Sequence, residues 1–167
     1  MQEILIPKER VAVLVGEKGS TLKEVKKLTQ LKIKVVDDGY VTIEGDPVEE
    51  YRGVQIIKAI GRGFSPEKAL KLLEDNTMLC IIDVLDYAST DKAKVRLKGR
   101  VIGKDGRIRS RIEKETNTVL AVYGKTISVI GRAGAADITR QAVEMLLEGR
   151  SHTTIFGFLR RHQEQLI

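Results

Sequence analysis

The sequence predicts an α+β protein made of two copies of one small unit, and three observations carry that prediction. Two glycine loops, Gly16-Glu17-Lys18-Gly19 and Gly103-Lys104-Asp105-Gly106, lie 87 positions apart, each between an apolar stretch and a helical one. The same offset aligns Val25 with Ile112, Thr29-Gln30 with Thr116-Asn117, Ile33 with Leu120 and Val35 with Val122. After one deletion in a turn, Tyr40-Val41-Thr42-Ile43-Glu44-Gly45 matches Thr126-Ile127-Ser128-Val129-Ile130-Gly131. Each copy reads strand, helix, loop, helix, strand, strand, helix. Three strands in that order form a three-stranded antiparallel sheet with three helices on one face.

In the first copy, Glu3 to Ile6 is expected as a strand, and Pro7 opens a short helix over Glu9 to Val15. Ser20 or Thr21 is expected to cap the next helix, which runs to about Gln30 with Leu22, Val25 and Leu28 on one face. Lys32 to Val36 alternates like a half-buried strand, Asp37-Asp38-Gly39 turns the chain, and Tyr40 to Glu44 returns. Asp46-Pro47 starts a longer helix carrying Tyr51, Val54, Ile57 and Ile60 at helical spacing. A boundary is expected at Gly61 to Pro66, followed by a connector helix with Ala69, Leu70, Leu72 and Leu73.

The second copy begins with the β-rich Met78 to Val84. Helices over Lys92 to Val101 and Arg107 to Thr116 flank its loop, and strands Val119 to Tyr123 and Thr126 to Ile130 meet around Gly124. Ala133 to Leu147 is the long closing helix. A last segment, capped by Ser151 and anchored by Ile155, Phe156, Phe158 and Leu159, has no counterpart in the first copy. The expected organisation is a first domain over 1–62, a connector over 63–75, a second domain over 76–149 and a C-terminal helical segment over 150–167.

Of the 167 residues, 42% are hydrophobic, enough for packed cores and against general disorder. No apolar run approaches the roughly 20 residues of a membrane span, so no membrane association is expected. The first residues have neither a basic nor a long apolar signal region. The single Cys80 excludes an intrachain disulfide framework and fits a reducing compartment; a cytoplasmic location is expected.

The net charge of +6 is unevenly spread. Residues 1–75 hold 13 basic and 13 acidic side chains, whereas 76–167 hold 16 and 10. Ten basic residues fall within 92–114: Lys92, Lys94, Arg96, Lys98, Arg100, Lys104, Arg107, Arg109, Arg111 and Lys114, opposed only by Asp105 and Glu113. A basic cluster centred on a backbone-exposing loop points to a polyanion. Glycines between two helices let a phosphate backbone approach the loop amides and the following helix terminus. Lys18 and Lys104 add cations at the loop tips, and Val101, Ile102, Ile112 and Leu120 are expected to receive unstacked bases. That combination suits a single strand, because an A-form duplex does not splay its bases.

With these loops, the chain resembles a tandem of type I KH domains over nearly its whole length. The match runs through Leu14-Val15-Gly16-Glu17-Lys18-Gly19 with Leu22, Val25 and Thr29, and through Val101-Ile102-Gly103-Lys104-Asp105-Gly106 with Ile112 and Thr116. Arg109 departs from the apolar residue usual at its position, which Leu22 retains in the first copy. The Gly106-Arg107-Ile108-Arg109 run and the Gly157-Phe158-Leu159-Arg160 segment further resemble the archaeal and eukaryotic "partner of Nob" factors, relatives of the KRR family. That resemblance implies a small-ribosomal-subunit biogenesis factor binding single-stranded RNA near the 3′ end of small-subunit rRNA. It implies the second KH domain as main binder, with the Nob endonuclease and other ribosome-assembly or translation-initiation factors as partners.

The expected RNA-binding residues are Arg100, Val101, Ile102, Gly103, Lys104, Asp105, Gly106, Arg107, Arg109, Arg111, Ile112 and Leu120, with Gly16, Glu17, Lys18 and Gly19 as a secondary site. No catalytic residue, cofactor or metal is expected. Neither loop ends in the Gly-Lys-Ser/Thr of a nucleoside-triphosphate loop, and no G-x-G-x-x-G follows a strand. His152 and His162 are ten apart, Cys80 sits in an apolar strand, and Asp37-Asp38 and Asp83/Asp86 read as turn or strand-edge residues. With aromatics at only 4%, recognition by a stacked aromatic array is disfavoured. Two other readings stand beside RNA processing: a protein-interaction scaffold, suggested by the neutral first copy, and a general regulator binding mRNA or single-stranded DNA.

Overall fold

A computed structural model describes all 167 residues, Met1–Ile167. They form two compact units, Met1–Asp75 and Asn76–Ile167. The first contains β1 (Gln2–Leu5), α1 (Val11–Val15), α2 (Ser20–Thr29), β2 (Lys32–Val36), β3 (Tyr40–Glu44), α3 (Pro47–Gly61) and α4 (Pro66–Ala69). The second contains β4 (Thr77–Asp83), α5 (Asp91–Ile102), α6 (Arg107–Thr116), β5 (Val119–Tyr123), β6 (Thr126–Arg132), α7 (Ala133–Leu147) and α8 (His152–Arg161). Each sheet is antiparallel with its last strand central, in the orders β1-β3-β2 and β4-β6-β5. The α+β class and paired three-stranded sheets are therefore as the repeat pattern predicts.

Strand alternation explains which side of each sheet meets the helices. Val41 and Ile43 of β3 are fully buried, whereas Tyr40 between them and the turn is 54% exposed. In the second unit Ile127 and Val129 of β6 join Leu97, Val101, Ile112, Val143 and Leu146 from the helices in one core. The helix ends carry the expected chemistry. Asp46 Oδ1 accepts hydrogen bonds from the amides of Val48 and Glu49 at the start of α3, where Pro47 needs no partner. Thr90 and Ser151 accept in the same way from Ala93 and Thr154.

Several sequence expectations are corrected. Neither Ser20 nor Thr21 caps α2: the helix begins directly after Gly19, whose φ of 77° turns the chain without a side-chain cap. Leu28 is 50% exposed, and the inward face of α2 is Val25 with Thr29, because those two are one helical turn apart. Tyr51 is likewise 67% exposed, and α3 is buried through Gly53, Ile56, Ile57 and Ile60 instead. Within 63–75 the chain forms α4 and one further helical turn, Leu70–Leu73, in which Ala69 and Leu72 are buried while Leu70 and Leu73 are only partly so.

The C-terminal helix also has a counterpart. Gly63 (φ 103°) ends α3 and Ser65 caps α4; Gly149 (φ 99°) ends α7 and Ser151 caps α8. Both units then tie this corner to the helix preceding the loop by one arginine. Arg10 Nε donates to Ile60 O and its Nη2 to Phe64 O, each at 2.8 Å. Arg100 donates to the carbonyls of Leu146 and Arg150. A guanidinium there satisfies carbonyls orphaned at a helix C-terminus and complements its dipole. The sequence hides the equivalence, because Arg10 precedes its loop by six residues and Arg100 by three, one helical turn later.

Candidate nucleic-acid interface

The two glycine loops have the same backbone. Gly16, Lys18 and Gly19 have φ of 76°, 53° and 77°; Gly103, Asp105 and Gly106 have 73°, 55° and 73°. At the first glycine ψ is 175° and 176°, a region open essentially to glycine alone. A Cβ on Gly103 would also meet Ile108 Cβ at 2.8 Å and its amide nitrogen at 2.9 Å; on Gly16 it would meet Thr21 in the same way. The second glycine faces open space, with no atom within 4 Å of a Cβ at Gly19 or Gly106. The first glycine thus makes the turn, and the second keeps its outer surface bare.

Superposing the loops by this geometry pairs Glu17 with Lys104 and Lys18 with Asp105. The two lysines are therefore not equivalent. Lys104 precedes the left-handed residue, while Lys18 occupies that strained position itself, which aspartate tolerates better. Glu17, Lys18, Lys104 and Asp105 are all exposed.

Of the expected site residues, Ile102, Gly103, Lys104, Asp105, Gly106, Arg107 and Arg109 are brought together on the open side of the second loop and retain accessible surface. Val101, Ile112 and Leu120 are at most 2% exposed and belong to the core. They offer no surface to bases. Apolar periodicity finds such positions but does not say which lie beneath the surface. Ile102, and Val122 on the core-facing side of β5, keep accessible apolar area.

Two of the expected site cations, Arg100 and Arg111, are committed elsewhere. Arg100 holds the end of α7, as described, and His152 Nε2 lies 3.0 Å from the Arg100 carbonyl. Arg111 donates from Nε to Glu115 and stacks 3.6 Å over the Phe156 ring, so it faces α8. The C-terminal helix therefore braces both helices that flank the loop. Lys104 and Arg107 have no acidic partner.

Three candidates have roles or partners that the sequence does not show. β5 is an edge strand, so its outward backbone groups are unused by the sheet. Glu113 Oε2 accepts a 3.0 Å bond from the Leu120 amide on that edge. Lys98 Nζ donates at 2.7 Å to Gly124 O at the turn after β5. Both side chains thus join the helical wall to the strand wall. The third candidate is the first unit's own basic stretch: Lys18, Lys23, Lys26, Lys27, Lys32 and Lys34 face only Glu17 and Glu24 within 17–36. Counting charge over residues 1–75 conceals it, because most of the compensating acids lie outside this loop, α2 and β2.

The shifted ionisable groups belong to other parts of the second unit. Hydrogen bonding from Arg140 holds the Asp137 carboxyl below its usual value, and burial raises the Cys80 thiol. No three His, Cys, Asp or Glu side chains cluster as a metal site. His162 Nδ1 lies 2.9 Å from the Phe158 carbonyl.

Paired β-α-loop-α-β-β-α units with a G-x-x-G turn between helices define a tandem type I KH protein. Residues 78–164 match the family described as eukaryotic-type KH domain, type I, and residues 1–59 match the KH domain. A KH domain-containing protein of Methanocaldococcus jannaschii is 46% identical, the alignment covering 98% of this chain and 75% of that protein. The pre-rRNA-processing protein PNO1 of Candida glabrata is 30% identical over 69% of this chain, an alignment that spans only 45% of that longer protein. A chain in the crystal structure of the a/eIF2α–aDim2p–rRNA complex from Pyrococcus horikoshii superposes with a TM-score of 0.91 at 38% identity, covering 98% of this chain and 93% of that one. The chain belongs to the KH-domain family, in the tandem-KH group of partner-of-Nob-like proteins.

Proposed function

We propose that this protein binds single-stranded RNA, mainly through its second unit, and serves small-ribosomal-subunit maturation at the 3′ region of the small-subunit rRNA. One observation carries the reading: the second glycine loop is bare at Gly106 and holds Lys104, with Arg107 next to it, neither having an acidic partner, and the helix that follows is bonded to the edge strand β5 through Glu113. The loop amides and cations suit a phosphate backbone, and the edge strand with Ile102 and Val122 suits splayed bases. The rRNA-bound relative and the pre-rRNA-processing relatives support rRNA as the target. The a/eIF2α of that same complex supports a translation-initiation factor as one partner, and the Nob endonuclease is a further proposed partner. The proposed location is cytoplasmic, and the proposed role is that of a binder rather than an enzyme.

The six lysines of the first unit favour a secondary RNA contact there over a purely protein-docking role. Titration with single strands from the rRNA 3′ region, unrelated single strands and a duplex tests the reading. The expected order is rRNA strand first and duplex last; equal binding of strand and duplex contradicts it. In-cell crosslinking separates the rRNA reading, which requires sites at the 3′ region, from a general mRNA regulator with dispersed sites.

Salt dependence gives a second check. With about four phosphates neutralised, log K against log salt should fall with a slope near −3 for a single strand. A flat response contradicts the electrostatic basis. Arg107→Ala is expected to flatten the slope by somewhat under one unit, as one fewer phosphate is neutralised.

A further inference from the structure

Arg109 stands where the first unit has Leu22, and Glu113, one turn later on α6, stands where it has Lys26. The Arg109 Nε lies 3.7 Å from Glu113 Oε1, close enough for an ion pair, yet it is buried and makes no hydrogen bond. Nε is closed to a ligand, but the Arg109 side chain as a whole is 41% exposed, so the terminal guanidinium nitrogens are the donors that a bound group can reach. Glu113 is held in place by the Leu120 amide through its other oxygen, while its side chain remains 21% exposed. The two groups therefore form a fixed donor–acceptor pair beside the strand edge, in the second unit only.

We propose that Arg109 and Glu113 form a base-reading pair that selects guanine at one position of the bound strand; this rests on the RNA-binding reading above. Guanine carries two adjacent donors, N1–H and N2–H, next to two acceptors, O6 and N7. A carboxylate accepts two parallel donors, and a guanidinium donates in a fork to O6 and N7. Adenine offers one exocyclic amine between the ring acceptors N1 and N7, and cytosine one exocyclic amine with N3 on one side and C5–H on the other. Uracil offers one donor between two carbonyls. Only guanine occupies both members of the pair fully. The pair lies four residues apart on one helix, so both side chains face the same base.

The test uses the full chain and a set of single-stranded RNAs in which each position carries each of the four bases. The parent should prefer guanine at one position by about tenfold or more, the discrimination usual for a good base contact. Arg109→Leu, which installs the first unit's residue, and Glu113→Gln, which keeps an acceptor for the Leu120 amide, should each reduce that preference below about threefold. Thermal melting verifies that both variants fold. A preference for another base, or a guanine preference unchanged in both variants, overturns the proposal. If the parent discriminates and the Lys104→Asp, Gly106→Asp double variant stops binding while Arg109→Leu and Glu113→Gln change nothing, only the base-reading pair falls. If the parent binds no RNA, the RNA-binding reading itself falls and the pair with it.

Discussion

Replacing Lys104 and Gly106 together by aspartate is expected to lower single-stranded RNA affinity by at least about tenfold, roughly 1.4 kcal/mol. The double change removes an unpaired cation and adds two carboxylates where the proposed strand passes. It also fills the bare side of the loop, since nothing lies within 4 Å of a Cβ at Gly106. That same open space leaves the fold intact, because the new side chain meets no protein atom. Aspartate also tolerates the left-handed φ of 73° better than most residues. Filter binding or fluorescence anisotropy measures the loss, and the melting temperature should fall by roughly 5–10 °C at most, the cost of one left-handed residue at Gly106. Unchanged affinity in a folded variant contradicts the placement of the site.

Gly103→Ala should behave in the opposite way, as a stability variant. Its φ and ψ of 73° and 176° are closed to alanine, and the new methyl group would press against Ile108 Cβ and its amide nitrogen. Backbone strain and overpacking together predict a loss on the order of 2–4 kcal/mol. For a unit of this size that lowers its melting temperature by roughly 10–20 °C. Gly106→Ala, with no neighbour to strike, should cost only about 1–2 kcal/mol, the penalty of a left-handed residue. Calorimetry of the two variants decides the matter; equal destabilisation contradicts the division between a turn-making and a strand-facing glycine.

The repeated architecture was legible because both copies keep the features that set local conformation. Thr29 and Thr116 each donate their hydroxyl to the carbonyl four residues earlier, at 2.7 Å and 2.6 Å. Gln30 and Asn117 follow in left-handed conformations at φ 58° and 54°. Those residues align at the loop offset, so helix ends, turns and strand bounds were readable. What was not readable depends on faces and on distant partners. Leu28 and Tyr51 are apolar yet outward, and Val101, Ile112 and Leu120 are apolar and too deep to touch a ligand. Arg100 and Arg111 look like members of a binding cluster until carbonyls 46 and 50 positions away and the Phe156 ring claim them. Glu113 looked like an opposing charge; only the position of β5 at the sheet edge gives its carboxylate the Leu120 amide as a partner.

The first unit tests how far loop geometry alone determines binding. Its loop has the same backbone, but Glu17 takes the place of Lys104. Its six lysines lie on the loop, α2 and β2, while its groove lacks both Lys98 and Glu113 equivalents, having Val11 and Lys26 there. A diffuse positive surface of this kind is expected to give weaker contact with a strand than a loop with its cation at the rim.

The most direct measurement compares Lys18→Asp with Lys104→Asp in the full chain, by RNA titration and thermal melting together. Each removes one exposed lysine from a glycine loop and adds one carboxylate. Lys18→Asp also installs the residue that Asp105 supplies at the equivalent position, so it does not strain the turn. The account predicts a loss of about tenfold or more for Lys104→Asp, a clearly smaller loss for Lys18→Asp, and similar melting temperatures for both. Equal losses, or a larger loss from Lys18→Asp, would contradict the assignment of the main RNA site to the second unit.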